Sequence, residues 1–171
     1  MKLFTKTSFH RQAIILLSAQ APGDQTSIKL FSENIHQLIT NFNQYQIGQK
    51  IIVLGDKCLI DSDILEDKSW LYAYNSAYQQ PVMTSLQRGI SLMSQSVHSA
   101  LIWPANTPPL NSDHIHQILK EQKNKLHNII RPHDSNFPMC IPHTEFKHIL
   151  DLKSDLKIDE QLSANAYFVP H

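Results

Sequence analysis

The sequence holds only two cysteines, Cys58 and Cys140, and neither belongs to a C-x-x-C pair. Zinc-binding and dithiol redox motifs are thereby excluded, and two isolated thiols fit a reducing compartment. Net charge is missing too, because fifteen Lys and Arg cancel fifteen Asp and Glu. No overall field draws the chain to nucleic acid or to an anionic membrane surface. The nearest approach to a basic patch, Lys120, Lys123 and Lys125, reads as the solvated last turn of a helix. Long apolar runs are absent: Ala13 to Leu17 is far short of a bilayer span, and Met1 to Lys6 is followed by no signal-like apolar region. The expectation is a soluble, cytoplasmic protein with neither nucleic acid nor membrane as a partner. The histidines do not gather, since His114 and His116 stand two apart and point to different sides of a helix.

What is present is an ordinary globular balance, 42% apolar and 18% charged over 171 residues, with no internal repeat, low-complexity tract or linker. One domain over residues 1–171 is expected. Its organising stretch is Ala100-Leu101-Ile102-Trp103-Pro104-Ala105-Asn106-Thr107-Pro108-Pro109-Leu110. The apolar run reads as a buried strand that stops near Pro104, because the following prolines lack a backbone donor. Asn111-Ser112-Asp113 then offers caps to a helix over 111–123 with Ile115, Ile118 and Leu119 on one face. In open α/β sheets ligands collect at the carboxyl ends of strands, so Asn106 occupies a functional position.

The same strand, turn and helix recur upstream. Residues 13–17, 51–54 and 70–74 read as strands, with a helix between the first two carrying Ile28, Phe31, Ile35, Leu38 and Ile39 on one stripe. Asp61 to Asp67 reads as a short helix, and 83–94 as another with Met83, Leu86, Ile90 and Met93 apolar. Weaker strands are placed at 128–131 and 139–141, a helix at 144–152, and a last edge strand at 166–169. Four strand–helix units predict a three-layer αβα fold around a mostly parallel, Rossmann-like sheet. Gln20, Asn75 and Asn106, each just past a strand's carboxyl end, should converge at one crevice.

In this order the chain resembles the MobA-like nucleotidyltransferases, which include the cytidylyl- and guanylyltransferases of molybdenum cofactor maturation. Their opening signature, A-A-G-x-S-x-R-M-G-x-x-K after a strand, aligns without a gap to Ser18 through Lys29, and Ala19 and Lys29 match it. The family's asparagine after its third strand and its helix-opening S-L-x-x-G correspond to Asn75 and to Ser85-Leu86-Gln87-Arg88-Gly89. Its D-x-P, whose aspartate holds magnesium, reads Asn106-Thr107-Pro108 here, and of a later G-x-x-G-H-P only Pro138 remains. The resemblance implies a nucleotide-diphospho-sugar-transferase-type sheet. It also implies nucleotide-binding positions Ala19, Gln20, Lys29, Asn75 and Ser85, a metal position at Asn106, CTP or GTP as ligand, and Mg²⁺ if the protein is active.

The departures from that pattern bear on activity. Gln20 and Thr26 replace the two glycines that let backbone N–H groups wrap phosphate, and Asp24 stands where the family has arginine. At an effective dielectric of about 20, one unit charge roughly 4 Å away is worth on the order of 4 kcal/mol, so the reversal turns attraction into repulsion. Asn106 keeps an oxygen but not a charge, whereas Mg²⁺ relies on one or two carboxylates besides phosphate. Asn75 and Ser85 fit ligand contacts or plain turn and helix caps equally well. Two readings follow. One is a nucleotidyltransferase-family protein with a degenerate phosphate loop and metal site and weak or no transfer to an acceptor such as molybdopterin. The other is a non-catalytic binding or scaffold protein on the same fold, with a cofactor-maturation enzyme as its protein partner.

Overall fold

The structure, a computed structural model, describes residues 8–18, 25–55, 66–77, 82–107, 112–132, 135, 137–153, 162 and 166–169. Seven strands form one sheet: β1 (Ser8–Ser18), β2 (Gln46–Leu54), β3 (Leu71–Tyr74), β4 (Ser99–Pro104), β5 (Ile129–Pro132), β6 (Met139–Pro142) and β7 (Ala166–Val169). Their order is β3-β2-β1-β4-β6-β5-β7. The block β3-β2-β1-β4 is parallel, β6 runs antiparallel to both β4 and β5, and β7 pairs with β5 in parallel. The sheet is therefore mostly parallel, as expected.

Continuous apolar runs belong in this sheet because both of its faces are covered. Side chains alternate along β1: Ile14 and Leu16 join one core with Ile35, Leu38 and Phe42 of α1 (Gln25–Asn43) and Ile115, Ile118 and Leu119 of α3 (Ser112–Asn124). Ala13, Ile15 and Leu17 join the other with Met83, Leu86 and Ile90 of α2 (Val82–Ile90) and Phe146 and Ile149 of α4 (Phe146–Asp151). The result is three layers, with α1 and α3 on one side and α2 and α4 on the other. Trp103 is fully buried, edge-on to Phe42 at 5.5 Å between ring centroids, so it is core. No described helix is long and apolar enough to cross a membrane.

Several boundaries differ from the sequence reading. β1 and β2 begin five residues before the apolar runs at 13 and 51, because their first halves lie at the sheet's amino rim, where polar side chains reach solvent. Trp70 precedes β3 instead of opening it, and its backbone N–H donates to the Asp67 carbonyl in a turn. The helix expected to reach residue 94 ends at Ile90, where the amides of Leu92 and Met93 turn back onto Gly89 and Ile90. The helix placed at 144–152 opens with a 3-10 turn, His143–Glu145. Most of the helix read at Asp61 to Asp67 lies outside the described residues.

Candidate functional site

Because β2 lies on one side of β1 and β4 on the other, the connection reverses direction at β1, and a crevice opens at the carboxyl ends of β1 and β4. Each of α1, α2 and α3 begins after the carboxyl end of a parallel strand, so their N-termini share this rim. Asn106 stands here. Ala105 extends the ladder through its N–H to the Leu17 carbonyl (2.9 Å), and Thr107 N–H closes a turn onto the Pro104 carbonyl (2.9 Å). The side chain of Asn106 is exposed at the tip of that turn.

Asn75 follows β3 at the same end, its backbone N–H donating to the Leu54 carbonyl at 2.8 Å. Three strand spacings separate it from β4, about 14 Å at the usual interstrand distance. Asn75 and Asn106 thus lie at the same end of the sheet, while Gln20, expected to converge with them at one crevice, lies outside the described residues, as does Ala19. Lys29 is on the second turn of α1, and its side chain is not among those described.

The buried Asn75 side chain is fully engaged. Its amide nitrogen donates to the hydroxyls of Thr84 and Ser85, each at 2.9 Å, and its oxygen accepts from Ala77 N–H at 3.0 Å. An amide carries two donor hydrogens, so none is left for a ligand. Ser85 is 1% exposed. The spacing between Asn75 and Ser85 therefore joins the end of β3 to the first turn of α2 through side-chain hydrogen bonds. Thr84 is the member of this network that sequence reading missed; a hydroxyl beside Ser85 was the only signal.

Gly89 completes the motif for a packing reason. A Cβ there would lie 2.6 Å from Cγ2 of Ile15, 3.1 Å from its Cδ1 and 3.3 Å from Cγ2 of Val53. Without that methyl, α2 settles directly on β1 and β2, and the same helix brings Ser85 against Asn75. Arg88 faces outward, as its position opposite Leu86 and Ile90 requires. Within the crevice, the Ser18 hydroxyl donates to the Val53 carbonyl at 2.9 Å and fixes the end of β1.

Among the described strand-end residues, Gly55, Asn75 to Ala77 and Ala105 to Thr107, none is a carboxylate, whereas the first turn of α3 brings Asp113 to the same rim. Nor do three His, Cys, Asp or Glu side chains gather anywhere among the described residues. Among the described residues just past β4, Asn106 offers a neutral amide oxygen, a weaker donor for a hard dication than a carboxylate. Asp56, which follows Gly55, lies outside the described residues.

No protein-family model matches the sequence, and no curated protein matches it. Solved structures do match in fold. A nucleotidyl transferase from Methanothermobacter thermautotrophicus is similar with a TM-score of 0.66 at 10% identity, over 94% of this chain and 87% of that one. Rv0371c from Mycobacterium tuberculosis gives 0.62 at 11% identity, over 96% and 90%. A 4-diphosphocytidyl-2C-methyl-D-erythritol synthase from Anaerococcus prevotii gives 0.60 at 13%, over 95% and 87%. At such identities the likeness concerns the fold: a nucleotidyltransferase-type, three-layer sheet.

Proposed function

We propose that this chain is a MobA-like nucleotidyltransferase-type protein whose phosphate loop and metal site are degenerate, so that it transfers nucleoside monophosphate weakly or not at all. The observation that carries the proposal is Asn106, exposed at the carboxyl end of β4 beside β1, where a metal-holding aspartate would be required. A neutral amide supplies no charge to bring Mg²⁺ and triphosphate together. Asp24, one residue before α1, adds repulsion to the loss of the loop glycines at Gln20 and Thr26. The hydrogen bonds of Asn75 and Ser85 support the same reading, because both side chains brace the fold.

The test is calorimetric titration of CTP and GTP with and without Mg²⁺. Binding weaker than micromolar and indifferent to Mg²⁺ is the expected result. Micromolar, Mg²⁺-dependent binding, about −8 kcal/mol, would return the protein to the active transferases. A second reading, a non-catalytic scaffold for a cofactor-maturation enzyme, is favoured by one observation: Tyr167 and Phe168 stand exposed on the edge strand β7. If it holds, substituting both by serine abolishes capture of that enzyme without changing nucleotide affinity.

A further inference from the structure

The opposite end of the sheet carries a second cavity. At the amino ends of β1 and β4 lies a cleft of about 410 Å³, within the usual range for small-molecule sites. Strand pairing builds it. Gln12 is in register with Ser99, and His98 N–H donates to the Arg11 carbonyl at 2.7 Å, which brings His10 and Arg11 of one strand beside His98 of the other. The C-terminal part of α3 and the residues after it close the cleft with Lys123 and Leu126, and Gln12 Nε2 holds that helix by donating to the Leu119 carbonyl at 3.0 Å.

Two features set this region apart from ordinary strand ends. Between Phe9 and Ala13, four steps along β1 are matched by only two along β2, so residues 10–12 bulge out of the ladder. Bulges re-aim side chains, and this one needs Gly48 opposite, since a Cβ there would collide with the His10 carbonyl oxygen. The lining is also one-signed. Its charged groups are Arg11 and Lys123, His10 and His98 lie beside them, none of the described lining residues is a carboxylate, and Phe9 and Leu126 supply apolar walls.

We propose that this cleft is a binding site for a small phosphate monoester with an apolar or aromatic body. Two permanent cations match a group that carries close to two negative charges at neutral pH, and Arg11 can engage it through two parallel N–H donors. The apolar walls take the organic part. This site is independent of the crevice at the carboxyl ends of the strands, on the far side of the same sheet.

The experiment is a titration of the ¹⁵N-labelled full chain with phenyl phosphate, followed by amide chemical shifts. Saturable shifts at Phe9 to Gln12, His98, Ser99 and Lys123 to Leu126 are expected, with phenol producing none of them. Replacing the exposed Arg11 and Lys123 together by alanine should weaken binding about tenfold or more, as loss of charge-assisted hydrogen bonds does. Ser85→Ala should leave it unchanged. Shifts confined to Asn75 to Ala77 and Ala105 to Thr107, equal shifts with phenol, undiminished binding by the double variant, or no saturable shift at millimolar probe would each overturn the proposal.

Discussion

Substituting Gly89 by alanine sets two known effects against each other, and the structure decides the sign. At Gly89, the penultimate residue of α2, alanine is more favourable than glycine by at most about 1 kcal/mol. Against this, the new methyl would sit 2.6 Å from Cγ2 of Ile15, a fully buried residue in the central strand. That atom is a branch methyl on a β-branched side chain and cannot swing away as a long flexible end would. Cδ1 of Ile15 at 3.1 Å and Cγ2 of Val53 at 3.3 Å leave no slack on either side. Overpacking in a dense core costs about 1–3 kcal/mol, so Gly89→Ala should be destabilising by about 1 kcal/mol net, and at most about 2.

A double-mutant cycle isolates the contact. Ile15→Ala alone should cost about 2–5 kcal/mol through its cavity. In that background both Ile15 atoms nearest the new methyl are gone, and Gly89→Ala should become stabilising by at most about 1 kcal/mol through helix propensity. The coupling is then at most about 2 kcal/mol, read from urea unfolding midpoints at constant m by far-ultraviolet circular dichroism. If Gly89→Ala stabilises the unmodified protein, or if the two changes add within about 0.5 kcal/mol, α2 does not rest on β1 as described.

Three further outcomes follow from the site and its surroundings. Asn75→Ala removes the group joining Ala77, Thr84 and Ser85 and should cost about 1–3 kcal/mol of stability by the same unfolding assay; an unchanged midpoint would show that these bonds do not hold the end of β3 to α2. The carboxyl of Asp67 is held below the usual carboxylate range chiefly by the Ser69 hydroxyl and then by the Ser69 backbone N–H, with Asn43 and Lys50 adding to the effect. A depressed folded value gives stability that is present above the unfolded value and lost as pH falls through the folded one, so the gap between the unmodified protein and Asp67→Asn should be steady near neutrality and close below about pH 4; a gap that widens in acid would contradict this. On the proposed degenerate-site reading, Asn106→Asp alone should show no turnover, whereas combining it with Gln20→Gly, Asp24→Arg and Thr26→Gly should raise CTP or GTP affinity in calorimetry; turnover by the single variant would contradict that reading.

The parallel half of the sheet was legible because residues 13–17, 51–54 and 100–103 are covered on both faces and so show as unbroken apolar runs. The polar beginnings of β1 and β2 were not, since His10-Arg11-Gln12 and Gln49-Lys50 carry no strand periodicity, and the bulge at 10–12 breaks what alternation there is. Strand direction leaves no trace in a four-residue segment, so nothing in Met139 to Pro142 signalled that β6 runs against β4 and β5. At the site, the spacing from Asn75 to Ser85 was readable but its meaning was not. A turn asparagine and a helix-opening serine serve a ligand or each other equally well, and only the bonds between them decide. Gln12 was invisible for the same reason: a glutamine in a polar stretch is buried only because α3 crosses it 107 residues later.

The fold itself supplies a baseline against which any nucleotide binding has to be judged. Among the described residues three helices start at the carboxyl rim, and the partial positive charge of a helix N-terminus favours a nearby anion by about 0.3–1 kcal/mol whatever the side chains are. In this chain each of those helix starts carries polar residues in its own sequence. Asp24 directly precedes α1, Asp113 lies in the first turn of α3, and at α2 the hydroxyls of Thr84 and Ser85 are bound by Asn75. A carboxylate in the first turn of a helix competes for the favourable position an incoming phosphate would need, and the hydroxyls of Thr84 and Ser85 accept from the Asn75 amide. Removing Asp113 from the first turn of α3 should therefore raise phosphate affinity at this rim, with or without Mg²⁺, because it leaves the backbone contribution of the helix start unopposed. On the proposed reading, loss of transferase chemistry would need only a few side-chain changes at helix starts and strand ends, which would leave the sheet intact.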